Sequence, residues 1–462
     1  MRTGAFFLWV MLNALSSAGA LAASAQDNYK KLCASCHGDY MQGGSAPSLR
    51  DDTWSHGGSS EQIIHAILQG IAPGMPAFKE ALSLEDARAL VIYMRESRYY
   101  ANNQKARMSR DQVFESLGET FSLEPVVTGM DDLWGMDFFP DGGVIFTHKK
   151  GALYTQAVGA NPVLIQGTPS VWYAQQAGML DVKLHPDYEK NAWIYLSFAE
   201  KNKQGGMTRI VRGRILENRW VDQQDIYLAP SAHYWSANGH FGSRFVFHDG
   251  YVYFSVGDRR KHDGAQSLET PNGKVHRLHD DGRIPKDNPF VSVKGAVPSI
   301  YTFGNRNPQG LTLQPKTGLI WEAEHGPRGG DEINLIERGV NYGWPMITYG
   351  MNYNGTPWTS ETAREGMEQP KHYWVPSIAV SQIDFYEGQM FPKWQGKLMV
   401  ASLAKQELRL LSIEDRSVIA DDLLFKNLGR MRDIHTGPAG EPHVIFVGKK
   451  GGIYKLVRDE KK

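Results

Sequence analysis

The sequence lacks an excess of charge of either sign, because 50 lysines and arginines balance 50 aspartates and glutamates across 462 residues. A net charge of zero gives no overall electrostatic attraction for nucleic acid or anionic lipid. We therefore expect no nucleic acid among the partners of the protein. Glycine is abundant instead, with 48 residues, and this favours a turn-rich β protein over a helical bundle.

Long apolar runs are also missing, except for one near the N-terminus. Residues 6–15 are mostly apolar, follow the basic Arg2, and lead to small residues that end at Ala25. This order is that of a secretory signal, and the run is short for a membrane span. We expect a signal peptide over 1–25, a periplasmic mature protein and no membrane span after cleavage. An uncleaved membrane anchor is the alternative.

Cysteine is the scarcest residue of chemical interest. An exported protein could use disulfides, but this chain has only Cys33 and Cys36. They form the motif Cys33-Ala-Ser-Cys36-His37, in which both thiols bind haem through thioethers and the histidine ligates the iron. A zinc site would need a second cysteine pair, and a thioredoxin-like redox motif would need a βαβ context. The motif predicts a covalently bound haem c.

Two short helices are predicted around a proline-rich loop that follows the haem motif. Apolar residues recur at helical spacing within residues 61–70 and again after a helix start at residues 83–86. Between them, Pro73-Gly-Met75-Pro76 cannot continue a helix and holds a methionine on a loop. The segment 26–103 resembles a class I cytochrome c, which implies Met75 as the second axial iron ligand. The rival ligands are Met41, His56 and His65.

A repeated pattern follows a polar segment that we interpret as a linker over 104–118. An apolar strand, a turn with proline, aspartate or glycine, and a second apolar strand occur six times, starting at Met136, Val182, Phe245, Leu311, Ile383 and Asp433. Because a propeller blade is a small antiparallel sheet, six copies predict a six-bladed β-propeller over 119–462. A two-sheet sandwich is the alternative. The expected fold is mainly β, preceded by a small all-α cytochrome c domain.

Several motifs lie in the connections between the repeats. They include Gly-Met-Leu at 178–180, Gly-Asn-Arg-Asn-Pro-Gln-Gly at 304–310, Glu-His-Gly-Pro at 324–327 and Asn-Tyr-Gly-Trp-Pro at 341–345. In this shared order they resemble the soluble PQQ-dependent glucose and aldose sugar dehydrogenases. The resemblance implies that an aldose is oxidised at its C1 hydroxyl to a lactone, by hydride transfer to pyrroloquinoline quinone (PQQ).

The resemblance also implies catalytic residues. It makes His240 the general base that removes the proton of the sugar hydroxyl, a task that suits a pKa near working pH. Asp258 would orient the imidazole of His240 or stabilise its cation. Gln176 would hydrogen-bond the substrate. Taken alone, His240 could equally be a structural histidine in a glycine-rich turn.

Cofactor-binding residues follow from the same resemblance. Arg306 and Asn307 match positions that meet the quinone oxygen, where positive charge favours a developing oxyanion. Arg430 and Arg432 match a pair of arginines that clamp carboxylates. Arginines two apart on a strand project to the same face, so we expect both to reach PQQ. A solvated charged edge is the alternative for this pair.

A calcium ion is implied as well, since Gly326 and Pro327 match residues whose main-chain carbonyls bind Ca²⁺ beside PQQ. Two positions depart from the family pattern. The family places a cofactor-contacting lysine directly after a Ser-Leu pair, whereas Ala404 intervenes here before Lys405. A one-residue slip turns a strand side chain to the opposite face. In addition, His325 replaces the glutamine that often precedes Gly-Pro.

The leading hypothesis combines both parts of the chain. A sugar would reduce PQQ, and the electrons would pass through the haem to an external acceptor such as a cytochrome or a quinone-linked oxidase. Fusion supports this order because a tether raises the local concentration of the haem. Two alternatives are oxidation of a non-sugar alcohol or aldehyde, and a ligand-binding propeller that carries an independent cytochrome.

Overall fold

The computed structural model describes residues 23–51, 53–102 and 108–459. Most of the predicted signal peptide and part of the predicted linker lie outside these residues. Within the described ranges a small helical domain precedes a ring of six antiparallel sheets, which confirms the predicted fold class. None of the helices in these ranges combines the length and the apolar character that crossing a bilayer requires.

The helical domain contains both helices that the sequence predicts. Its helices are α1 (Ala25–Leu32), α2 (Ala34–His37), α3 (Ser60–Gln69) and α4 (Leu84–Asn102). Ser59 caps α3 by accepting from the Gln62 amide, and Ser83 accepts from the Asp86 amide at the start of α4. Such side-chain caps satisfy amides that have no partner within the helix. The buried face of α4 packs on α1 and α3.

The first half of the propeller follows the helical domain. Its strands are β1 (Phe114–Ser116), β2 (Glu119–Thr128), β3 (Leu133–Phe138), β4 (Val144–His148), β5 (Ala152–Gln156), β6 (Val163–Ile165), β7 (Met179–Leu184), β8 (Ile194–Asn202), β9 (Gly205–Leu216), β10 (Arg219–Tyr227), β11 (Phe245–His248), β12 (Tyr251–Val256), β13 (Lys274–His279) and β14 (Ile300–Phe303). A short helix, α5 (Tyr188–Asn191), joins β7 to β8. Strands β3–β6 form blade 1, β7–β10 blade 2 and β11–β14 blade 3.

The second half completes the ring. Its strands are β15 (Pro308–Gln314), β16 (Leu319–Glu324), β17 (Asp331–Ile336), β18 (His372–Trp374), β19 (Val380–Phe385), β20 (Leu398–Ser402), β21 (Glu407–Glu414), β22 (Ser417–Lys426), β23 (Arg430–Thr436), β24 (Pro442–Val447) and β25 (Gly452–Arg458). Strands β15–β18 form blade 4, and β19–β22 form blade 5. Blade 6 contains β23–β25 together with β1 and β2.

Blade 6 closes the ring by pairing the two ends of the propeller sequence. Strand β2 runs antiparallel to β25, with Phe121 opposite Arg458 and Thr128 opposite Gly452. This pairing removes the free edge that an open ring would leave. Strand β1 pairs with β2, so residues 114–116 of the predicted linker are a propeller strand.

The six sequence repeats coincide with the first two strands of each blade. The first strands pack against one another around the ring, since β3 contacts β7 and β23, and β19 contacts β15 and β23. Apolar side chains fill the space between neighbouring blades, as Tyr195, Phe245 and Phe254 do between blades 2 and 3. The connections at the ends of these innermost strands therefore converge, and they carry the motif residues.

Candidate active site

A buried histidine–aspartate pair lies in two connections next to blade 3. His240 precedes β11, has a left-handed backbone with φ 57°, and is 7% exposed. Its Nδ1 lies 2.6 Å from Oδ1 of Asp258, which follows β12. Burial lowers the pKa of His240, and the hydrogen bond to Asp258 opposes that effect. The imidazole is thereby held in its neutral form, which is the form that can accept a proton.

Asp258 accepts hydrogen bonds from four directions. Besides His240, its carboxylate lies 2.7 Å from Nδ1 of His262, accepts from the indole N–H of Trp344 at 2.8 Å, and accepts from the Arg260 amide at 2.7 Å. Burial alone would raise the pKa of Asp258, but the bonds to His240 and His262 hold it well below its usual range. The carboxyl is therefore ionised and fixed in orientation.

Gln176 contacts the main chain of the predicted base. Its Oε1 accepts from the His240 amide at 2.7 Å. Arg259 supports the same loop from the other side by donating to the carbonyls of Ala237 and Gly239. Two side chains thus fix the backbone that carries His240, and preorganisation of this kind is typical of catalytic groups.

Several cations near this pair have no carboxylate partner within ion-pair distance among the described residues, and three of them concern the cofactor. These three are Lys149, Arg306 and Arg432. Arg306 donates to the carbonyls of His325 and Gly326 at 2.8 and 2.6 Å, and its buried Nε has no partner in the described part of the chain. Burial lowers the pKa of Arg432 to about 9 and lowers that of Lys149. Excess positive charge that is partly shielded from water favours an anionic ligand.

Asn307 links the cations to the histidine. Its Oδ1 accepts from Nε2 of Gln309 at 3.3 Å and from the Gly242 amide at 3.4 Å. Gln309 in turn accepts from Nη1 of Arg432 at 3.0 Å. The contact network therefore joins Arg432, Asn307 and the loop of His240. The donor set fits PQQ, whose carboxylates and quinone oxygens all accept hydrogen bonds.

The two arginines of β23 do not share one environment. Their expected projection to the same face assumed regular alternation, but the pairing of β23 with β24 shifts register between Met431 and Asp433. A bulge of this kind places an extra residue on one strand and breaks the alternation. Arg430 is exposed, whereas Arg432 contacts Gln309 and lies over the Trp134 ring at 5.6 Å.

The two departures from the family pattern take on defined roles. Lys405 points its ammonium at the ring of Tyr99 on α4, 4.3 Å from the centroid. Burial lowers the pKa of Lys405 to about 8. Nε2 of His325 is hydrogen-bonded to the Val380 carbonyl. Burial lowers the pKa of His325 to about 3, so the His325 ring is neutral. The Lys405 ammonium therefore contacts the helical domain, and its contact with PQQ stays a prediction.

The carbonyls implied for calcium already accept hydrogen bonds in this arrangement. The Gly326 carbonyl accepts from Arg306, and the Pro327 carbonyl accepts from the Gly330 amide at 3.1 Å and from Ser377 at 3.3 Å. Within the described ranges, no group of three or more histidine, cysteine, aspartate or glutamate side chains could hold a metal. A calcium ion would compete with these donors for the two carbonyl oxygens, and calcium at Gly326 and Pro327 stays a prediction.

The haem motif of the helical domain is arranged for its ligand. Nδ1 of His37 lies 2.8 Å from the Pro47 carbonyl, which fixes the ring and leaves Nε2 for iron. Cys33 and Cys36 are both free thiols, and Cys33 packs on the same apolar core as Met75. The rival Met41 is only 1% exposed and belongs to that core. This donor set fits a covalently attached haem.

Four residues of the site were missed by sequence reasoning. His262 and Trp344 bind Oδ2 of Asp258, the oxygen that His240 does not contact. Lys149 adds a cation. Arg244 forms ion pairs with Asp181 and Asp433. His262 stands four residues after Asp258, a spacing that could have suggested it. Nothing in the local sequence singles out Lys149, because its position depends on how blades 1 and 2 meet.

Comparison with known proteins agrees with the order of the two parts. The Glucose / Sorbosone dehydrogenase family model matches residues 130–455, and the cbb3-type cytochrome c oxidase subunit III model matches residues 20–94. Aldose sugar dehydrogenase YliI of Escherichia coli (strain K12) is 37% identical over 347 residues, covering 73% of this chain and 93% of that protein. Quinoprotein glucose dehydrogenase B of Acinetobacter calcoaceticus is 29% identical over 360 residues, covering 61% and 74%.

A solved structure shows the same likeness. The crystal structure of the soluble aldose sugar dehydrogenase from Escherichia coli in the apo-form superposes with a TM-score of 0.70 at 34% identity. The match covers 73% of this chain and 100% of that one. The similarity therefore extends over an entire relative, while the helical domain is additional.

Proposed function

The chain belongs to the Glucose / Sorbosone dehydrogenase family and carries an N-terminal cytochrome c domain, and from this premise we propose that it is a PQQ-dependent aldose dehydrogenase. An aldose is oxidised at C1 to the lactone, and the electrons leave through a covalent haem c. The observation that carries the proposal is the buried His240–Asp258 pair near Lys149, Arg306 and Arg432, none of which has a carboxylate partner among the described residues. Relatives named as an aldose sugar dehydrogenase and a quinoprotein support the substrate class and the cofactor.

The histidine is proposed as the general base. Nδ1 of His240 is committed to Asp258, and no hydrogen bond occupies Nε2 among the described residues, so Nε2 is available for the proton of the C1 hydroxyl. The ionised Asp258 then stabilises the imidazolium that forms. PQQ, when bound, supplies an oxidant that takes up the hydride from C1.

The cations are proposed to hold the cofactor. Arg306 and Arg432 would bind its oxygens with charge-assisted hydrogen bonds, and Asn307 would donate its amide hydrogens. Lys149 would add a third positive charge. Arg306 lies 5.1 Å from the Trp344 ring, which restricts where its guanidinium can point. These groups fix charge in place before the reaction, so little reorganisation accompanies it.

Location and partners are proposed on the same basis. We place the mature protein in the periplasm, where haem c is attached and a sugar is accessible. The external acceptor is a cytochrome or a quinone-linked oxidase, since the haem gives up one electron at a time.

A sugar panel tests the function. Purified protein with PQQ should reduce a soluble dye with aldoses and should not do so without PQQ. Alcohols and simple aldehydes serve as the comparison, because rates higher than those of all aldoses would point to a non-sugar substrate. Dye reduction that is independent of PQQ, or absent with every compound, would contradict the proposal.

Exchange of Arg432 should weaken PQQ binding more than exchange of Arg430. Arg432→Gln removes a charge-assisted hydrogen bond within the cation cluster, so we expect PQQ affinity to fall about 10–100-fold. Arg430→Gln is the matched control, because Arg430 is exposed. Titration of apoprotein with PQQ, followed by cofactor absorbance, measures both. Equal losses in the two variants would restore the paired clamp that the sequence predicted.

Exchange of Met75 should separate sugar oxidation from onward transfer. Met75→Ala should leave sugar-dependent reduction of PQQ largely intact, while the haem spectrum changes and electron delivery to an external acceptor slows. A methionine ligand raises the haem potential, so its loss alters the haem alone. Met108→Ala is the control, since Met108 is 40% exposed. If single-turnover sugar oxidation fell equally, the separation of roles would be wrong.

Exchange of His262 should move the pH profile. His262 binds the oxygen of Asp258 that His240 does not use, so His262→Ala removes that hydrogen bond and leaves the carboxylate more negative toward His240. The pKa of His240 then rises, and the acid limb of kcat/KM shifts to higher pH, because the neutral imidazole is the active form. The pH profile of PQQ-loaded enzyme measures this. An unshifted or lower acid limb would show that His262 does not act through Asp258.

A further inference from the structure

Helix α4 of the cytochrome domain is clamped to the loop that joins β16 to β17. Arg328 in this loop places Nε 3.0 and 2.9 Å from the two carboxylate oxygens of Glu96, and Nη2 2.5 Å from one of them. The Arg328 and Glu96 side chains are only 28% and 13% exposed. The bond to Glu96 raises the pKa of Arg328. A forked, sheltered pair of this kind fixes geometry better than a single surface contact.

The next residue of the loop packs directly on the helix. A Cβ at Gly329 would lie 2.7 Å from Cγ2 of Ile92, so the loop backbone approaches α4 as closely as glycine allows. Ile92 is buried with Ala89 of the same helix and with Met351 of the propeller. The contact is therefore a small apolar core with an ion pair at its edge, as in a permanent interface.

Two further contacts tie the domains together. The Tyr99 hydroxyl at the end of α4 donates to the Lys405 carbonyl at 3.3 Å, and the Lys405 ammonium lies over the Tyr99 ring. At the other end of the domain, the Ala25 amide donates to the Gly355 carbonyl at 2.8 Å. The helical domain is thus held at blades 4 and 5 together.

The interface between the two domains contains a cavity beside this contact. A cavity of about 320 Å³ separates the two domains and is lined by residues that include His65, Arg88, Tyr349 and Tyr373. The closely packed part of the interface is therefore residues 89–99 of α4, which include Ile92, Glu96 and Tyr99.

This part of α4 connects the two redox sites. On one side, the clamped loop begins at Gly326, whose carbonyl accepts from Arg306 of the active site. On the other side, Leu90 and Met94 of α4 belong to the core on which Cys33 and Met75 pack. A continuous, packed path thus runs from the predicted PQQ site through the loop and α4 to the haem motif.

We propose that α4 and the 326–330 loop form a fixed docking interface, locked by the Glu96–Arg328 pair, across which the propeller passes electrons to its own cytochrome domain. The inference rests on the proposed function. Each aldose that becomes a lactone releases two protons and two electrons. Bound PQQ would take up both electrons, and a bound haem would receive them one at a time across this interface and pass them to the external acceptor. The cytochrome domain therefore keeps one position on the propeller, whereas a domain on a flexible tether would bind and dissociate.

Charge reversal tests the lock. Glu96→Arg and Arg328→Glu each oppose like charges, whereas the double exchange restores an attractive pair in the opposite sense. In PQQ-loaded protein we expect each single variant to slow sugar-driven haem reduction at least about tenfold, with recovery in the double variant. Dye reduction that bypasses the haem should stay close to that of the wild type. Arg283→Glu is the matched control, because Arg283 pairs with Asp281 at 2.6 Å within blade 3.

Hydrogen exchange gives a readout that needs no sugar. Before PQQ is added, amides of residues 88–99 should exchange faster in both single variants and regain protection in the double variant. Wild-type haem reduction and wild-type α4 exchange in both single variants would overturn the docking proposal. Failure of the wild type to oxidise any aldose would instead overturn the proposed function. The hydrogen-exchange pattern alone would then decide whether α4 and the 326–330 loop form a fixed interface.

Discussion

Replacement of His240 by asparagine should lower sugar-dependent reduction of bound PQQ by about 10²–10⁴-fold, the usual contribution of a positioned acid–base group. Asparagine tolerates the left-handed backbone at this position, where φ is 57°. The loop therefore keeps its conformation, and the Asp258 carboxylate keeps a donor. Only the group that accepts the substrate proton is lost.

Single-turnover mixing of PQQ-loaded protein with an aldose measures this effect. His248→Asn is the control, because His248 lies on β11 of the same blade and pairs with Asp249 at the surface. PQQ titration of each variant separates lost chemistry from lost binding. A His240→Asn protein that takes up PQQ normally and reduces it at the wild-type rate would remove the proposed base.

Replacement of Arg244 by methionine should lower the free energy of unfolding of the propeller by about 3–5 kcal/mol, the usual result of leaving buried charges without their partner. The Arg244 guanidinium is fully buried and lies 2.8 Å from Asp181 and 3.1 Å from Asp433. It also donates to the carbonyls of Gln309 and Arg432 at 3.0 and 2.9 Å. One side chain thus connects blades 2, 3, 4 and 6.

The loss should grow as pH rises. Burial raises the pKa values of Asp181 and Asp433, and the Arg244 cation opposes that rise. Without Arg244 the folded-state pKa values rise further above their unfolded values, so stability falls as pH increases from the unfolded toward the folded pKa. Methionine should therefore be tolerated better at pH 5 than at pH 8.

Chemical denaturation followed by tryptophan fluorescence measures the propeller, and haem absorbance reports the cytochrome domain separately. Arg214→Met is the control, because Arg214 pairs with Asp222 in a more exposed position and should cost no more than about 1 kcal/mol. Equal stability of the two variants, or a loss that shrinks as pH rises, would contradict the structural role of Arg244.

The fold was predictable because its signals are local and repeated. The haem motif is contiguous, and helix starts at Ser59 and Ser83 depend on residues three positions apart. The six strand–turn–strand units each carry their own pattern of apolar residues, so the blade count followed from the sequence. The resemblance to sugar dehydrogenases, confirmed by the family matches, rested on motifs whose order along the chain is also visible without a structure.

The site was only partly predictable, since its parts come from different blades. Sequence reasoning named His240 and Asp258, and the structure brings their side chains together. It assumed an uninterrupted strand at Arg430 and Arg432, but a bulge there is invisible in the sequence pattern. The direction of the Lys405 side chain could not be predicted, because a shift of one residue along a strand reverses the face to which a side chain points. In the structure its ammonium lies over the ring of Tyr99.

The sequence by itself determined the haem motif, the six repeats and the identity of the chemical groups, because each depends on neighbours within a few residues. Only the tertiary structure decided that His262 shares Asp258 with His240, that Arg244 joins four blades, and that Glu96 meets Arg328. Glu96 and Arg328 are 232 positions apart. Contacts between such distant residues arise from ring closure and domain packing, which no local pattern encodes.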